Sequence, residues 1–315
     1  MPPPKIFALV PETLDQWYRA ARNSGQDHNP HEQQQWNSAS KLTKQEYLLL
    51  RCLWIDHGDD KTLEILNFRK YFKAARDWLD KFPPFQAYLQ QVRTQSPTTK
   101  FNPADNAAGP WGSGIFEVPA VEQNRISSRL ARQQHRTPRN TKREIDEDSV
   151  NLSLVAFLVS LAAKHPSIHS HWTPHKKPLK ATFRNGAIME AQIDGYFGEE
   201  EGPIKIMLET KAEPRDFHEP QVSIQEAAEV VALLMTQRVD SNRRVILFLQ
   251  DGADLYVTLA AFDKTYLDWI KNKRKKLPNH QFLQMNRYGS WNLTSADDMK
   301  EFAVIALGIM LEADR

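Results

Sequence analysis

Apolar and polar residues alternate through residues 187–211, and this pattern predicts two strands joined by a turn at residues 198–203. In the first strand one face carries Ile188, Glu190, Gln192 and Asp194. In the second strand one face carries Met207, Glu209 and Lys211. Antiparallel pairing of the two strands would therefore bring one aspartate beside one glutamate and one lysine.

The pattern predicts helices and further strands on both sides of this hairpin in the chain. Apolar residues at helical spacing predict a helix over 146–165, with acids at its start, and a second helix over 221–237. Residues 179–184 predict a strand that enters the hairpin through a type I′ turn at Asn185-Gly186. Residues 243–250 and 254–262 predict two strands joined through Asp251-Gly252. Residues 262–276 and 296–314 predict helices, of which the first ends in a basic run.

The first half of the chain has a different pattern. Helical spacing over residues 13–21, 44–55, 62–82 and 85–93 predicts a helical region spanning 1–95. Residues 96–143 are rich in Pro, Asn, Ser, Gly and Arg, which is typical of a basic and mostly disordered linker. We expect the α/β domain to span residues 144–315.

Composition bounds the class of protein. The chain has 315 residues, of which 41% are hydrophobic, and a formal net charge of +2, so charge alone neither favours nor excludes a nucleic-acid partner. Its single cysteine, Cys52, excludes a disulfide within the chain and fits a reducing, intracellular compartment. No stretch has the pattern of an export signal or a membrane span, so we expect no membrane association.

The acidic residues of the hairpin are the strongest candidates for chemistry. Asp194 and Glu209 at the end of a sheet would form an oxygen site suited to Mg²⁺, or Mn²⁺ in its place, which substrate phosphate usually completes. Lys211 would orient a water molecule or offset charge on the phosphate. The alternative interpretation is that these three residues lie on the solvated face of a hairpin.

The arrangement of Asp194, Glu209, Thr210 and Lys211 resembles the motif of the PD-(D/E)XK nuclease superfamily, although Ile193 stands where that motif usually has proline. Several stretches together resemble uncharacterised nuclease-like proteins found in fungi: DGY, LETKAEPR, IQEAAEVVALL, LQDGADLYVTLAAF, FLQM and YGSW. The resemblance implies a restriction-endonuclease-like α/β core, with a central mixed sheet flanked by helices, and a glutamine facing the site from the next helix. Gln225 matches that glutamine.

Two further acids are candidates for the same site. Glu147, one turn before Val150, is a candidate third metal ligand on the buried side of its helix, or an acid that complements the helix dipole. Asp251 is a candidate to face the site, or a turn residue. Four histidines over residues 165–175 suggest zinc, but the cysteines that structural zinc sites often use are missing, which favours a loop without metal.

The linker carries a cluster of arginines that includes Arg129, Arg132 and Arg136. We interpret it as a phosphate-binding arm or a nuclear import signal, with a solvated charged linker as the alternative. The nuclear compartment is favoured over the cytoplasm on this basis.

The sequence favours two functions over a third, a purely structural helical scaffold, which would make the grouping of Asp194, Glu209 and Lys211 a coincidence. The first is a Mg²⁺-dependent nuclease, and the second is a catalytically inactive nuclease-fold module that binds nucleic acid or protein. The N-terminal region is the candidate contact for a protein partner.

Overall fold

The computed structural model describes residues 9–24, 29–58, 69–94, 114–134, 146–240 and 244–315. The helices are α1 (Leu14–Ser24), α2 (Lys44–Leu49), α3 (Arg69–Leu79), α4 (Pro83–Thr94), α5 (Glu117–Gln134), α6 (Glu147–Ala162), α7 (Gln221–Thr236), α8 (Lys264–Ile270) and α9 (Ala296–Ala313). The strands are β1 (Cys52–Asp56), β2 (His171–Thr173), β3 (Lys177–Thr182), β4 (Ile188–Ile193), β5 (Gly195–Gly198), β6 (Ile204–Lys211), β7 (Val245–Asp251), β8 (Asp254–Ala261) and β9 (Leu283–Asn292).

Seven strands form one mixed sheet in the order β1-β9-β8-β7-β6-β5-β2, and β3 pairs with β4 in a separate hairpin. The β1–β9 and β6–β7 pairs are parallel, and the other pairs of the sheet are antiparallel. The chain is therefore an α/β protein whose central mixed sheet is flanked by helices, as the sequence predicts.

Alternate residues of β7 supply the two hydrophobic cores of the molecule. Leu247 and Leu249 pack in the core that α7 and the β3–β4 hairpin cover. Ile246 and Phe248 pack in the core on the other face, under α6 and α9. Because side chains point alternately to opposite faces of a strand, a strand covered on both faces is apolar at every position, and β7 has this composition up to its last two residues.

The predictions of helices α6 and α7, which lie beside the hairpin, are confirmed. The Asp146 carboxylate caps α6 by accepting a hydrogen bond from the backbone N–H of Ser149 at 2.8 Å, and α6 ends before Pro166. Helix α7 spans almost all of its predicted range, and its buried face includes Ile224 and Val231. These helices place their first turns at the same edge of the sheet as the end of β6.

The predicted helix over residues 44–55 is wrong in its second half. Helix α2 begins with a capping box between Thr43 and Glu46, but it ends before Arg51, which adopts a left-handed conformation with φ of 52°. The following residues form β1, which pairs with β9 inside the main sheet. A continuous apolar run has no period that separates a buried strand from a helix, so the N-terminal region is not purely helical.

The linker prediction is wrong for the described part of 96–143. Helix α5 lies inside this range and packs against α6, with Ile126 buried in a small cluster with Val150 and Ala212. The other linker residues, apart from Gly114–Phe116, which form a 3₁₀ turn, lie outside the described residues. Few apolar residues are needed to dock one face of a helix, and composition alone does not detect them.

The hairpin differs from its prediction in two details. The predicted strand through Asp194 is two strands: β4 pairs with β3, whereas β5 pairs with β6, and Asp194 lies between them. The turn before β4 is not type I′, since Gly186 has a positive φ of 85° but Asn185 does not. The Gly186 N–H bonds to the Phe183 carbonyl at 2.9 Å, which makes Arg184 and Asn185 the central residues of the turn.

The basic run after α8 lies outside the helix, because α8 ends at Ile270. None of the helices in the described part of the chain has the length and apolar character needed to span a bilayer.

Candidate active site

A cleft of about 560 Å³ opens where β6 ends, between the β3–β4 hairpin, the start of α6 and the first half of α7. Its lining includes every residue that the sequence assigns to catalysis or metal binding: Glu147, Asp194, Glu209, Lys211 and Gln225. Lys176, Lys180 and Glu229 line it as well, although no motif in the sequence points to them. Residues far apart in the chain therefore meet in one cavity.

Strand β6 supplies an ion pair at the base of the cleft. Glu209 and Lys211 share a face of β6 because they are two residues apart, and the Lys211 Nζ donates to Glu209 Oε1 at 2.6 Å. Glu209 is buried, with only 3% of its surface exposed, and Lys211 is partly buried beside it. The alternative in which these charges decorate a solvated hairpin face is wrong.

Asp194, at the junction of β4 and β5, is held in place by hydrogen bonds with β6. Its backbone N–H donates to the Leu208 carbonyl at 3.1 Å, and its Oδ2 accepts from the backbone N–H and the hydroxyl of Thr210 at 3.0 and 2.9 Å. The Asn151 side chain of α6 donates to the Asp194 carbonyl at 3.1 Å. Thr210, the variable position of the motif, thus orients Asp194, a role that motif spacing alone does not reveal.

The second carboxylate oxygen of Asp194 faces a cation. Asp194 Oδ1 lies 3.5 Å from the Nζ of Lys176, a half-exposed lysine that lines the cleft between β2 and β3. At this distance the contact is an ion pair and not a hydrogen bond. Asp194 therefore presents Oδ1 to the cleft and keeps Oδ2 for Thr210.

Helix α7 contributes two polar side chains, four residues apart on one face. Gln225 Nε2 donates to Glu209 Oε1 at 2.6 Å and to Glu229 Oε1 at 2.8 Å. Glu229 is fully buried. In the described part of the chain, neither Glu209 Oε2 nor Glu229 Oε2 has a hydrogen-bond partner.

Burial dominates the electrostatics of these acids. It raises the pKa of Glu209 to about 8, against the opposing effect of Lys211, and Asp194 and Glu226 raise it further. Burial also raises the pKa of Glu229 well above its ordinary value, with Glu209 as the next cause. Burial opposes the charged form of Lys211, but Glu209, Glu229 and Glu147 outweigh it and raise the Lys211 pKa.

The sequence predicts that repulsion within the Asp194–Glu209 pair raises at least one pKa. The direction is confirmed at Glu209, but its principal cause is removal from water, and the Asp194 charge is a smaller contribution.

The residues present allow a two-carboxylate metal site. Asp194 and Glu209 both line the cleft, and two carboxylates are hard oxygen ligands that Mg²⁺ uses together with water and phosphate. The buried Glu209 Oε2 has no hydrogen-bond partner among the described residues, so it is free to bind an ion. Within the described residues, no group of three or more His, Cys, Asp or Glu side chains is arranged to hold a metal ion.

Glu147 does not occupy the buried position expected of a third ligand. It is exposed at the first residue of α6, although it lines the cleft. The expectation that it lies on the buried side of the helix is wrong.

Asp251 belongs to a second buried cluster and not to the cleft. Arg215, in the loop between β6 and α7, lies with its Nε 2.7 Å from Asp251 Oδ2 and donates through Nη2 to Glu226 Oε1 at 2.5 Å. Burial raises the pKa values of Glu226 and Asp251, and Arg215 opposes this in both. The cluster fixes the loop that joins the Glu209 strand to the Gln225 helix.

The arginines proposed to bind phosphate lie on α5 or follow it in the chain. Arg129 is half-buried on α5 and is not among the residues that line the cavity. Arg132 lies on the same helix, and Arg136 lies outside the described residues.

Comparison of the chain with protein-family models, with curated proteins and with solved structures finds no match. The resemblance to PD-(D/E)XK nucleases therefore stays a prediction carried by the residues themselves.

Proposed function

We propose that the chain is a Mg²⁺-dependent phosphodiesterase that acts on nucleic acid. The observation that supports this most directly is that Asp194, Glu209, Lys211 and Gln225, from β6, α7 and the β4–β5 junction, line one cleft. Two carboxylates can hold a divalent ion, and an ammonium group and an amide can stabilise charge or orient water beside a scissile phosphate.

Asp194 Oδ1 and Glu209 would hold the metal, with Glu147 at the edge of the cleft as a further acid. When bound, Mg²⁺ would lower the pKa of a coordinated water and polarise the phosphodiester. The Lys211 ammonium would offset the negative charge that develops on the phosphate. Lys176 and Lys180, which line the cleft, would bind neighbouring phosphates of the strand.

A second candidate is a catalytically inactive module for binding nucleic acid or protein, and one observation favours it. Glu209 Oε1 is engaged by Lys211 and Gln225, and Glu209 Oε2 is shielded from solvent. A metal ion would have to compete with Lys211 for this carboxylate.

The test is incubation with labelled duplex, single-stranded and branched nucleic acids in Mg²⁺, in Mn²⁺ and in chelator, together with calorimetric Mg²⁺ titration. We expect cleavage that chelator stops. Asp194→Asn and Glu209→Gln should abolish it, because each removes a charged metal ligand. Lys211→Ala should lower turnover on the order of a hundredfold while leaving metal binding intact or slightly stronger.

Glu199→Gln is the matched control, since Glu199 is an exposed glutamate outside the cleft. It should cleave as the unaltered chain does. A chain that binds no divalent ion at millimolar concentration, with or without nucleic acid, would exclude the phosphodiesterase and favour the binding module.

Binding to nucleic acid is tested separately through its salt dependence. If the arginines of 129–136 contact phosphate, neutralising Arg129, Arg132 and Arg136 should flatten the slope of log affinity against log salt by roughly one unit for each arginine–phosphate pair that is removed. An unchanged slope would show that these arginines do not contact phosphate. The import signal and the nuclear compartment stay predictions.

A further inference from the structure

Glu229 is a buried acid without an evident structural reason. It lines the cleft from the third turn of α7, accepts one hydrogen bond from Gln225, and leaves Oε2 without a partner in the described part of the chain. Burying a carboxyl group that is only partly hydrogen-bonded is costly, so such a residue in a cleft calls for a role in the site.

The contacts of Gln225 show what that role is. Its amide nitrogen has two hydrogens, and both are directed at carboxyl oxygens: Glu209 Oε1 at 2.6 Å and Glu229 Oε1 at 2.8 Å. Glu209 Oε1 also accepts from the Lys211 ammonium group, which marks it as an acceptor. A flipped amide would place its oxygen against these two oxygens, so the hydrogen-bond network fixes the orientation of the amide.

This orientation leaves Oε1 as the atom of the Gln225 amide that can engage a ligand in the cleft. An amide oxygen accepts hydrogen bonds and cannot donate them. It can therefore bind a water molecule, a hydroxyl group or a metal ion, but it cannot bind the oxygens of an ionised phosphate.

We propose that Glu229 is a positioning residue that holds the Gln225 amide with its oxygen available to the attacking water. The assignment rests on the proposed hydrolytic function and extends it, because it gives Gln225 the water and not the phosphate as its ligand. What Glu229 supplies is a hydrogen-bond acceptor at Oε1, and its negative charge is not required.

Three variants test whether the hydrogen-bond acceptor or the negative charge of Glu229 matters. Glu229→Leu removes the acceptor, whereas Glu229→Gln keeps a carbonyl oxygen that can accept from Gln225. Glu199→Gln is the control, since Glu199 is exposed, lies outside the cleft and takes no part in the Arg215 cluster.

The first measurement needs no activity. Hydrogen exchange of the Gln225 side-chain amide is followed by NMR, with its signal identified by its loss in Gln225→Met. In Glu229→Leu exchange should be on the order of tenfold faster, because one of two hydrogen bonds is removed. In Glu229→Gln and Glu199→Gln it should remain close to that of the unaltered chain. Unchanged exchange in Glu229→Leu would overturn the proposal.

The second measurement is steady-state cleavage in Mg²⁺. Glu229→Leu should lower kcat by roughly ten- to a hundredfold with little change in KM, because a misoriented group affects the reacting geometry more than binding. Glu229→Gln should keep most of the kcat of the unaltered chain. If Glu229→Gln is as slow as Glu229→Leu, the negative charge of Glu229 is required and the proposal is overturned. If the unaltered chain cleaves no substrate, the hydrolytic function fails, while the exchange measurement still decides whether Glu229 orients Gln225.

Discussion

Glu209 shows how the position of one residue in a sheet determines its chemistry. Glu209 is buried near the end of β6, where Gln225 of α7 lies against its carboxylate, and the loss of water raises its pKa more than any neighbouring charge does. Lys211 and Gln225 offset part of this cost by donating to the same oxygen. The residue is thus poised between a neutral and an ionised form near physiological pH.

The raised pKa of Glu209 makes the free energy of unfolding fall as the pH rises. The pKa of Glu209 is about 8 in the folded chain against an ordinary value of 4.5, so between these limits the folded state binds a proton that the unfolded state releases. The stabilisation is fully present below pH 4.5 and is lost as pH rises through about 8. We expect urea unfolding in chelator to show a falling free energy across this window, with Glu209 contributing a slope of up to about 1.4 kcal/mol per pH unit.

In Glu209→Gln the side chain cannot ionise, so residue 209 should no longer make the free energy of unfolding depend on pH. The fall of this free energy with rising pH should therefore be less steep than in the unaltered chain. Glu226, Glu229 and Asp251 have raised pKa values too, which is why the difference between the two chains is the informative quantity. Exposed Glu199→Gln should follow the unaltered chain. Equal slopes for the unaltered chain and Glu209→Gln would contradict the assignment.

At the scale of elements, the Arg215 cluster determines how β6 and α7 meet. Arg215 is 4% exposed and lies against Glu226 of α7 and Asp251 of β7, so one side chain connects the loop, the helix and the sheet. Arg287 of β9 joins the same cluster through Glu219 at 3.2 Å. The spacing between the Glu209 strand and the Gln225 helix depends on this buried set of charges.

Removal of Arg215 should therefore be strongly destabilising. Arg215→Met leaves the buried acids Glu226 and Asp251 without their principal cation, and we expect the free energy of unfolding to fall by about 3–5 kcal/mol in urea titrations. Lys264→Met is the control, because Lys264 pairs with Asp268 on the surface and such pairs contribute at most about 1 kcal/mol. Similar losses of stability in the two variants would show that the cluster does not hold the loop.

The elements that the sequence predicts well are long apolar stretches with clear boundary residues at their ends. Helices α6, α7 and α9, and strands β7 and β8, have long or uniformly apolar patterns bounded by acids or glycine, and their predictions are confirmed. Strand β1 is an apolar run without a period, and α5 is a helix with few apolar residues, so both predictions are wrong. The cleft residues of the motif could be predicted because they share a strand face, whereas Glu229 and Lys176 come close only through tertiary packing.

At the scale of the whole molecule, the N-terminal region is part of the sheet. Strand β1 covers the edge of β9, and Trp54 of β1 donates from its indole nitrogen to the Ser223 carbonyl of α7 at 3.1 Å. Helices α3 and α4 pack against α9 on the other face. A boundary near residue 144 thus divides both of the large hydrophobic cores.

A chain limited to residues 146–315 should therefore not fold as a stable unit. It would expose the β9 edge and the apolar face of α9 to water, so we expect broad, weakly cooperative unfolding and binding of a hydrophobic dye. Adding residues 1–134 as a separate chain should restore a cooperative transition in calorimetry. A fragment that unfolds as sharply as the whole chain would restore the predicted boundary.

The parallel pairing of β1 with β9 also sets an order of events during synthesis. The ribosome makes residues 52–56 early, but their partners at 283–287 emerge only after most of the chain, which takes roughly ten to fifty seconds at 5–20 residues per second. During that interval the apolar residues Cys52, Leu53 and Trp54 have no strand beside them. The nascent chain must keep this segment from aggregating, on a chaperone or in a transient collapse, until β9 leaves the exit tunnel.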